Sequence, residues 1–201
     1  MVEESSSIKD ILSGLTALIG VSGFGFGMYQ YYKAQLWKKS EFAASQLQQL
    51  SDNPDLALCC VFLDWEARRI PIPERYQVFV KEDEKSFVHN WDNVKRGLAL
   101  ENDEANFDWP YVLYRDVFDQ FFVYLDRINH YISIGLFKVE DVYSLKYWLD
   151  EIESSRYLPK GEKDIFIKFI ESYGYHGVIN LMDTFKLEEQ KIKAGMRPRR
   201  A

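Results

Sequence analysis

Asp126 and His130 stand four residues apart, so on a helix they share one face, the spacing at which a carboxylate and an imidazole can hold a divalent cation. Asp116 and Asp119 lie upstream in the same segment and could supply a further ligand. A two-metal helical bundle, however, sets Glu-x-x-His pairs on partner helices. Neither His89 nor His176 falls in such a pair. The plainer alternative is that Asp126 and Arg127 pair with a neighbouring helix, and that is the reading adopted. Cys59 and Cys60 are adjacent within the apolar run Leu56 to Leu63. A bridge between neighbours closes a strained loop, so they read as small buried hydrophobes. Arg68, Arg69 and Arg75 suggest an anion site, although solvated surface is the commoner explanation. No G-x-S-x-G, Gly-rich phosphate loop or H-E-x-x-H occurs. No catalytic residue, metal or cofactor is therefore assigned.

The elements that would position these residues are mostly helical. Ala43, Leu47 and Leu50 recur at helical spacing up to Ser51-Asp52-Asn53-Pro54. Asn53 is placed to cap the next helix, with Pro54 at its first position and Asp55 in its first turn. Two prolines in RRIPIPERYQVFV favour an extended segment near 70–80, with a short strand over Arg75 to Val80. A helix is predicted from Ser86 to about Leu100, then a polar loop over Asn102 to Asp108. Trp109-Pro110 opens the longest helix, whose stripe is Phe118, Phe121, Leu125, Ile128 and Ile132, with Gly135 as its left-handed cap. Further helices follow over VEDVYSLKYWLDEI, EKDIFIKFIESYGY and HGVINLMDTFKLEEQKIK.

The uncharged run Ile11 to Tyr32 has the length of a transmembrane helix, since about 20 residues at about 1.5 Å each cross a bilayer's hydrocarbon core. A signal peptide would begin with a basic region, whereas this chain begins with Val2, Glu3 and Glu4. Tyr29, Tyr31, Tyr32, Lys33, Trp37, Lys38 and Lys39 resemble an interfacial anchor. Lys9 is the only cation before the run, so the positive-inside rule places residues 1–10 outside and the rest in the cytoplasm. The expected organisation is thus 1–10 exterior, 11–32 spanning the lipid bilayer, 33–50 a juxtamembrane helix, 51–193 a cytoplasmic helical domain and 194–201 a basic flexible tail. Gly20, Gly23 and Gly27 share one face of the run with Ser13, Thr16 and Ala17. They are candidates for helix association and a homo-oligomer, although membrane helices also simply tolerate glycine.

The chain has 201 residues and a net charge of −6. Beyond the run, this is enough for one compact domain. Residues 40 to 185 hold 15 Lys and Arg against 26 Asp and Glu. Nucleic acid is excluded as the main partner, because phosphate neutralisation needs clustered cations. The 13 tyrosines and 14 phenylalanines allow a ligand pocket, for which Phe118, Phe121, Phe122, Tyr131 and Trp148 are candidates, with Phe166 beside them. At helical spacing such residues are more often core.

Phe121, Phe122, Leu125, Asp126, Arg127 and Ile128, followed by Gly135, Leu136, Glu140, Tyr147 and Trp148, resemble a family of uncharacterised bacterial single-pass proteins, a domain of unknown function. The resemblance covers Val117 to Trp148 and the amino-terminal apolar helix. It implies a membrane-anchored helical domain and supplies no catalytic residues.

Together these features predict an all-α protein: an N-terminal transmembrane helix, then a compact domain of about six helices with a short extended segment. The expected function is a membrane-anchored, non-enzymatic interaction or scaffold protein with an unidentified protein partner. The alternative is a helical sensor or binding domain for a small apolar ligand.

Overall fold

The computed structural model describes residues 2–100, 109–162 and 164–195, with the side chains of 2–14 and 17 outside that description. Two compact units divide the chain, Met1–Phe42 and Ala43–Ala201. The fold is mostly helical, as expected, with one small sheet.

Helix α1 runs Val2–Asp52. Ile11 to Tyr32 lies within it, but among the described residues no helix is long and apolar enough to cross a membrane. That finding overturns the single-pass anchor, and with it the outside amino terminus and the cytoplasmic placement of the rest. The reason is compositional. Between Leu15 and Tyr32 the large apolar residues alternate with Gly20, Ser22, Gly23, Gly25, Gly27 and Gln30. These residues and the closing tyrosines favour hydrocarbon less than the leucines and isoleucines of a spanning helix. The side chains of Ile11 to Gly14 and of Ala17 lie outside the described residues. The 33–50 stretch is helical, and from Ala43 it belongs to the second unit, where Ala43 and Gln46 are buried.

In the second unit, Asn53 starts α2 (Pro54–Asp64) as the sequence predicts. Its Oδ1 accepts from the Asp55 amide at 2.9 Å and the Leu56 amide at 3.3 Å. Strand β1 (Ala67–Pro71) pairs antiparallel with β2 (Ser86–Asn90), Arg68 opposite His89 and Ile70 opposite Phe87. The helix predicted from Ser86 is therefore only α3, Trp91–Gly97. Asn90 is extended and accepts from the Asn93 amide at 2.9 Å, so the helix begins after it. The strand predicted at Arg75 to Val80 is a 3-10 turn over Glu74–Phe79, which buries Tyr76 and lets its hydroxyl donate to Asp116 Oδ2 at 2.7 Å. The loop expected over 102–108 lies outside the described residues.

Helix α4 (Tyr111–Ser133) buries Leu113, Tyr114, Val117, Phe118, Phe121, Phe122, Tyr124, Leu125 and Ile128. Gly135 ends it at φ +72°, with the Leu136 amide returning to the Tyr131 carbonyl at 3.0 Å. The helix predicted from Val139 is a 3-10 turn, Val139–Leu145, kinked at Val142, followed by α5 (Lys146–Ser154). Helices α6 (Ile165–Ser172) and α7 (His176–Lys193) complete the unit. The basic tail from 196 onward lies outside the described residues.

Helix α4 packs on α2, α3 and α7. The Phe118 ring stands 6.3 Å from Phe62 and 5.2 Å from Phe166, while Phe122 lies 5.9 Å from Phe169. Gly97 permits a close approach of α3 to α4. A Cβ there would stand 2.6 Å from Tyr114 Cβ and 3.0 Å from the Tyr111 carbonyl oxygen. Two expectations follow for urea denaturation. Phe122→Ala lowers stability by about 3–5 kcal/mol through the void it leaves. Gly97→Ala lowers it by about 1–3 kcal/mol because α3 must move off α4.

Candidate interaction surface

The described part of α1 before Ala43 keeps its large apolar side chains in solvent. Leu18 is 68% exposed, Phe24 71% and Trp37 74%. At 100° per residue, Leu15, Leu18, Ile19, Phe26, Tyr29 and Leu36 gather on one side, with Trp37 beside them. The predicted association residues Gly20, Gly23 and Gly27 gather on another side, with Thr16 and Ala34. A Cβ at any of these three glycines would meet nothing within 4 Å. The glycine face is therefore open to the backbone of another helix. Lys33 lies over the Tyr29 ring at 5.0 Å, on the side of the large apolar residues.

The proposed pocket residues are distributed differently. Phe118, Phe121 and Phe122 are fully buried, and so is Phe166. Phe118 and Phe122 stack at 6.0 Å, and Phe121 stands 6.4 Å from Phe122. Tyr131 meets Phe137 edge-on at 6.0 Å, while Trp148 meets Tyr147 at 4.8 Å. The three phenylalanines of α4 thus fill one another's space, and Tyr131 and Trp148 each have a different partner.

The residues with ligand chemistry are engaged in structure. Asp116 accepts from Tyr76, and Asp119 Oδ1 accepts from the Tyr175 hydroxyl at 3.1 Å. Burial raises the Asp119 carboxyl above its ordinary range, against the opposing pull of the Tyr175 bond and the Arg115 charge. Asp126 Oδ1 accepts from the Gly177 amide at 2.9 Å in the first turn of α7. It acts as an external cap there, on a donor the helix cannot satisfy itself. Arg127 donates to Gln49 Oε1 at 3.2 Å, so the expected Asp126–Arg127 ion pairing is replaced by two hydrogen bonds to different elements. Among the described residues no three His, Cys, Asp or Glu side chains are grouped to hold a metal.

Burial pushes the Cys59 thiol well up, and burial followed by the Asp64 charge pushes Cys60 up to about 12. Both stay protonated and unreactive near neutrality. Arg75 pairs with Asp55 at 2.8 Å, Arg68 lies over the Trp65 ring at 4.6 Å, and Arg69 donates to Ser86 Oγ at 3.2 Å. The three guanidiniums have three different partners.

One constellation was not found from the sequence. His89 is fully buried between the Trp65 carbonyl and the Tyr114 hydroxyl, each 2.9 Å from a ring nitrogen. No sequence signal marks it: Ser86 to Asn90 does not alternate polar with apolar residues, and the helix predicted from Ser86 covers it.

The chain matches no protein-family model, no curated protein and no solved structure. The resemblance over Val117 to Trp148 therefore rests on those residues alone.

The role of Asp126 can be separated from metal binding. Asp126→Ala is expected to cost about 1 kcal/mol in urea denaturation through the lost cap. Chelator should leave the wild-type midpoint unchanged, and a midpoint lowered by chelator would restore the metal reading.

Proposed function

We propose that this chain is a non-enzymatic interaction protein. In this reading the exposed apolar stretch of α1 binds an apolar helix, and the partner is a second copy of the chain. The observation that supports it is the exposure of large side chains from Leu15 to Trp37. Monomers in water rarely leave so long an apolar surface uncovered, and such surfaces mark association sites. A helix apolar on most sides is normally buried by other elements.

The open glycine face gives the association its geometry. With no Cβ at Gly20, Gly23 and Gly27, two backbones can come close and gain dispersion contacts along the stripe. The large side chains on the other faces would pack around that contact. The second unit would then be held at raised effective concentration beside its copy, which is the advantage of tethering.

The experiment is light scattering of the full chain. The wild type is expected to run as a dimer or larger assembly, and Gly23→Leu with Gly27→Leu to shift it toward monomer with unchanged helical content. A monomeric wild type would remove the basis of the proposal. An assembly indifferent to both substitutions would remove the glycine face from it.

A further inference from the structure

His89 occupies an unusual place for an ionisable side chain. It lies on β2, is fully buried, and stacks on the Phe62 ring at 4.9 Å with only 19° between the planes. The Tyr114 ring stands 5.7 Å away and the Trp91 ring 6.5 Å, the latter inclined at 64°. Its Nε2 is 2.9 Å from the Trp65 carbonyl oxygen, which can only accept, so Nε2 carries the proton. Nδ1 is then the bare nitrogen, and it accepts from the Tyr114 hydroxyl at 2.9 Å. A neutral ring with its proton on Nε2 satisfies both contacts, whereas a doubly protonated ring makes the Tyr114 hydroxyl turn its own proton away. The ring joins three parts of the fold: the hairpin, the end of α2 through Trp65, and α4 through Tyr114.

We propose that His89 is an acid-sensitive latch that holds the β1–β2 hairpin against α2 and α4 and releases it when the ring takes a second proton. A proton from solvent must go to Nδ1, the only nitrogen with a free lone pair. The ring then donates from both nitrogens, and the Tyr114 hydroxyl loses its acceptor. A unit charge is left among Phe62, Tyr114 and Trp91, where solvation is poor. Moving β2 outward hydrates the ring and relieves both costs.

The groups facing the ring do little to offset that charge. From α4 there is the Tyr114 hydroxyl, itself pushed above its ordinary range by burial. From α2 and its end there are the Phe62 and Trp65 carbonyls, and from α3 the Trp91 indole, whose Nε1 also donates to the Trp65 carbonyl at 3.1 Å. Across the ladder stands Arg68, a cation held over the Trp65 ring. Asp64, at the end of α2, accepts from Tyr147. Burial accordingly lowers the His89 pKa from 6.5, and the two carbonyls only partly oppose it. A ring that is harder to protonate when closed than when open stabilises the closed hairpin fully above about pH 6.5. That stabilisation is lost progressively as the pH falls below this value, by about tenfold in the closing equilibrium per pH unit until the closed ring also titrates.

Hydrogen exchange of the full chain between pH 7 and pH 5, corrected for intrinsic rates, tests the latch. Amides of 67–71 and 86–90 are expected to lose protection by about tenfold over that range while those of α4 do not. His89→Gln keeps one donor and one acceptor but cannot titrate, so its hairpin protection should be independent of pH. Equal pH dependence in wild type and variant would overturn the proposal. If the variant does not fold, 15N shifts of the wild-type imidazole decide. A ring that stays neutral with Nε2–H while the hairpin is closed supports the latch. A ring that titrates near 6.5 with Val88 and Arg69 resonances unmoved overturns it.

Discussion

The second unit depends on the burial of one helix over about half of its circumference. A surface helix hides a single stripe, but α4 hides Leu113, Tyr114, Val117, Phe118, Phe121, Phe122, Tyr124, Leu125 and Ile128, which span more than one side. The other elements are arranged to cover it. Helix α2 brings Phe62, α6 brings Phe166 and Phe169, and α3 comes close enough that Gly97 has no room for a side chain. The polar groups along α4 are used at the margins of this core. Asp116 takes a hydrogen bond from the 3-10 turn, and Asp119 and Asp126 take one each from the start of α7, which fixes where those two elements sit.

The two units use the same residue types in opposite ways. In Ala43–Ala201 phenylalanine, leucine and isoleucine are largely inside, while in α1 before Ala43 Leu18, Ile19, Phe24 and Phe26 stand in solvent. Apolar surface gains free energy only by leaving water. The first unit therefore carries an unused driving force, and the proposed association supplies its outlet.

Features encoded within one turn of chain were legible. Asn53-Pro54-Asp55 marked the start of α2, Gly135 marked the end of α4, and the wide apolar pattern of α4 marked the core. What depended on distant partners was not. Ser86 to Asn90 shows no alternation of polar and apolar residues, and only its pairing with Ala67 to Pro71 makes it a strand. The role of Asp126 depended on Gly177, far along the chain, so neither its spacing from His130 nor its neighbour Arg127 announced a helix cap. The run Ile11 to Tyr32 has the length and lack of charge of a spanning helix, but its glycines and tyrosines leave it short of the apolarity a span needs. Nothing in the neighbours of His89 announced a buried imidazole.

The Trp65 carbonyl oxygen accepts from both the His89 ring and the Trp91 indole. Both contacts are made to main chain, while the Trp65 side chain is 45% exposed. The three positions consequently face different evolutionary pressures. Position 65 can drift among residue types, since every amino acid brings the same carbonyl. Positions 89 and 91 are bound to each other through an atom neither owns. A lineage that replaced one would leave the other donor alone on a carbonyl with a lone pair to spare, and compensating changes would accumulate at 89, 91 and 114 rather than at the tryptophan visible on the surface.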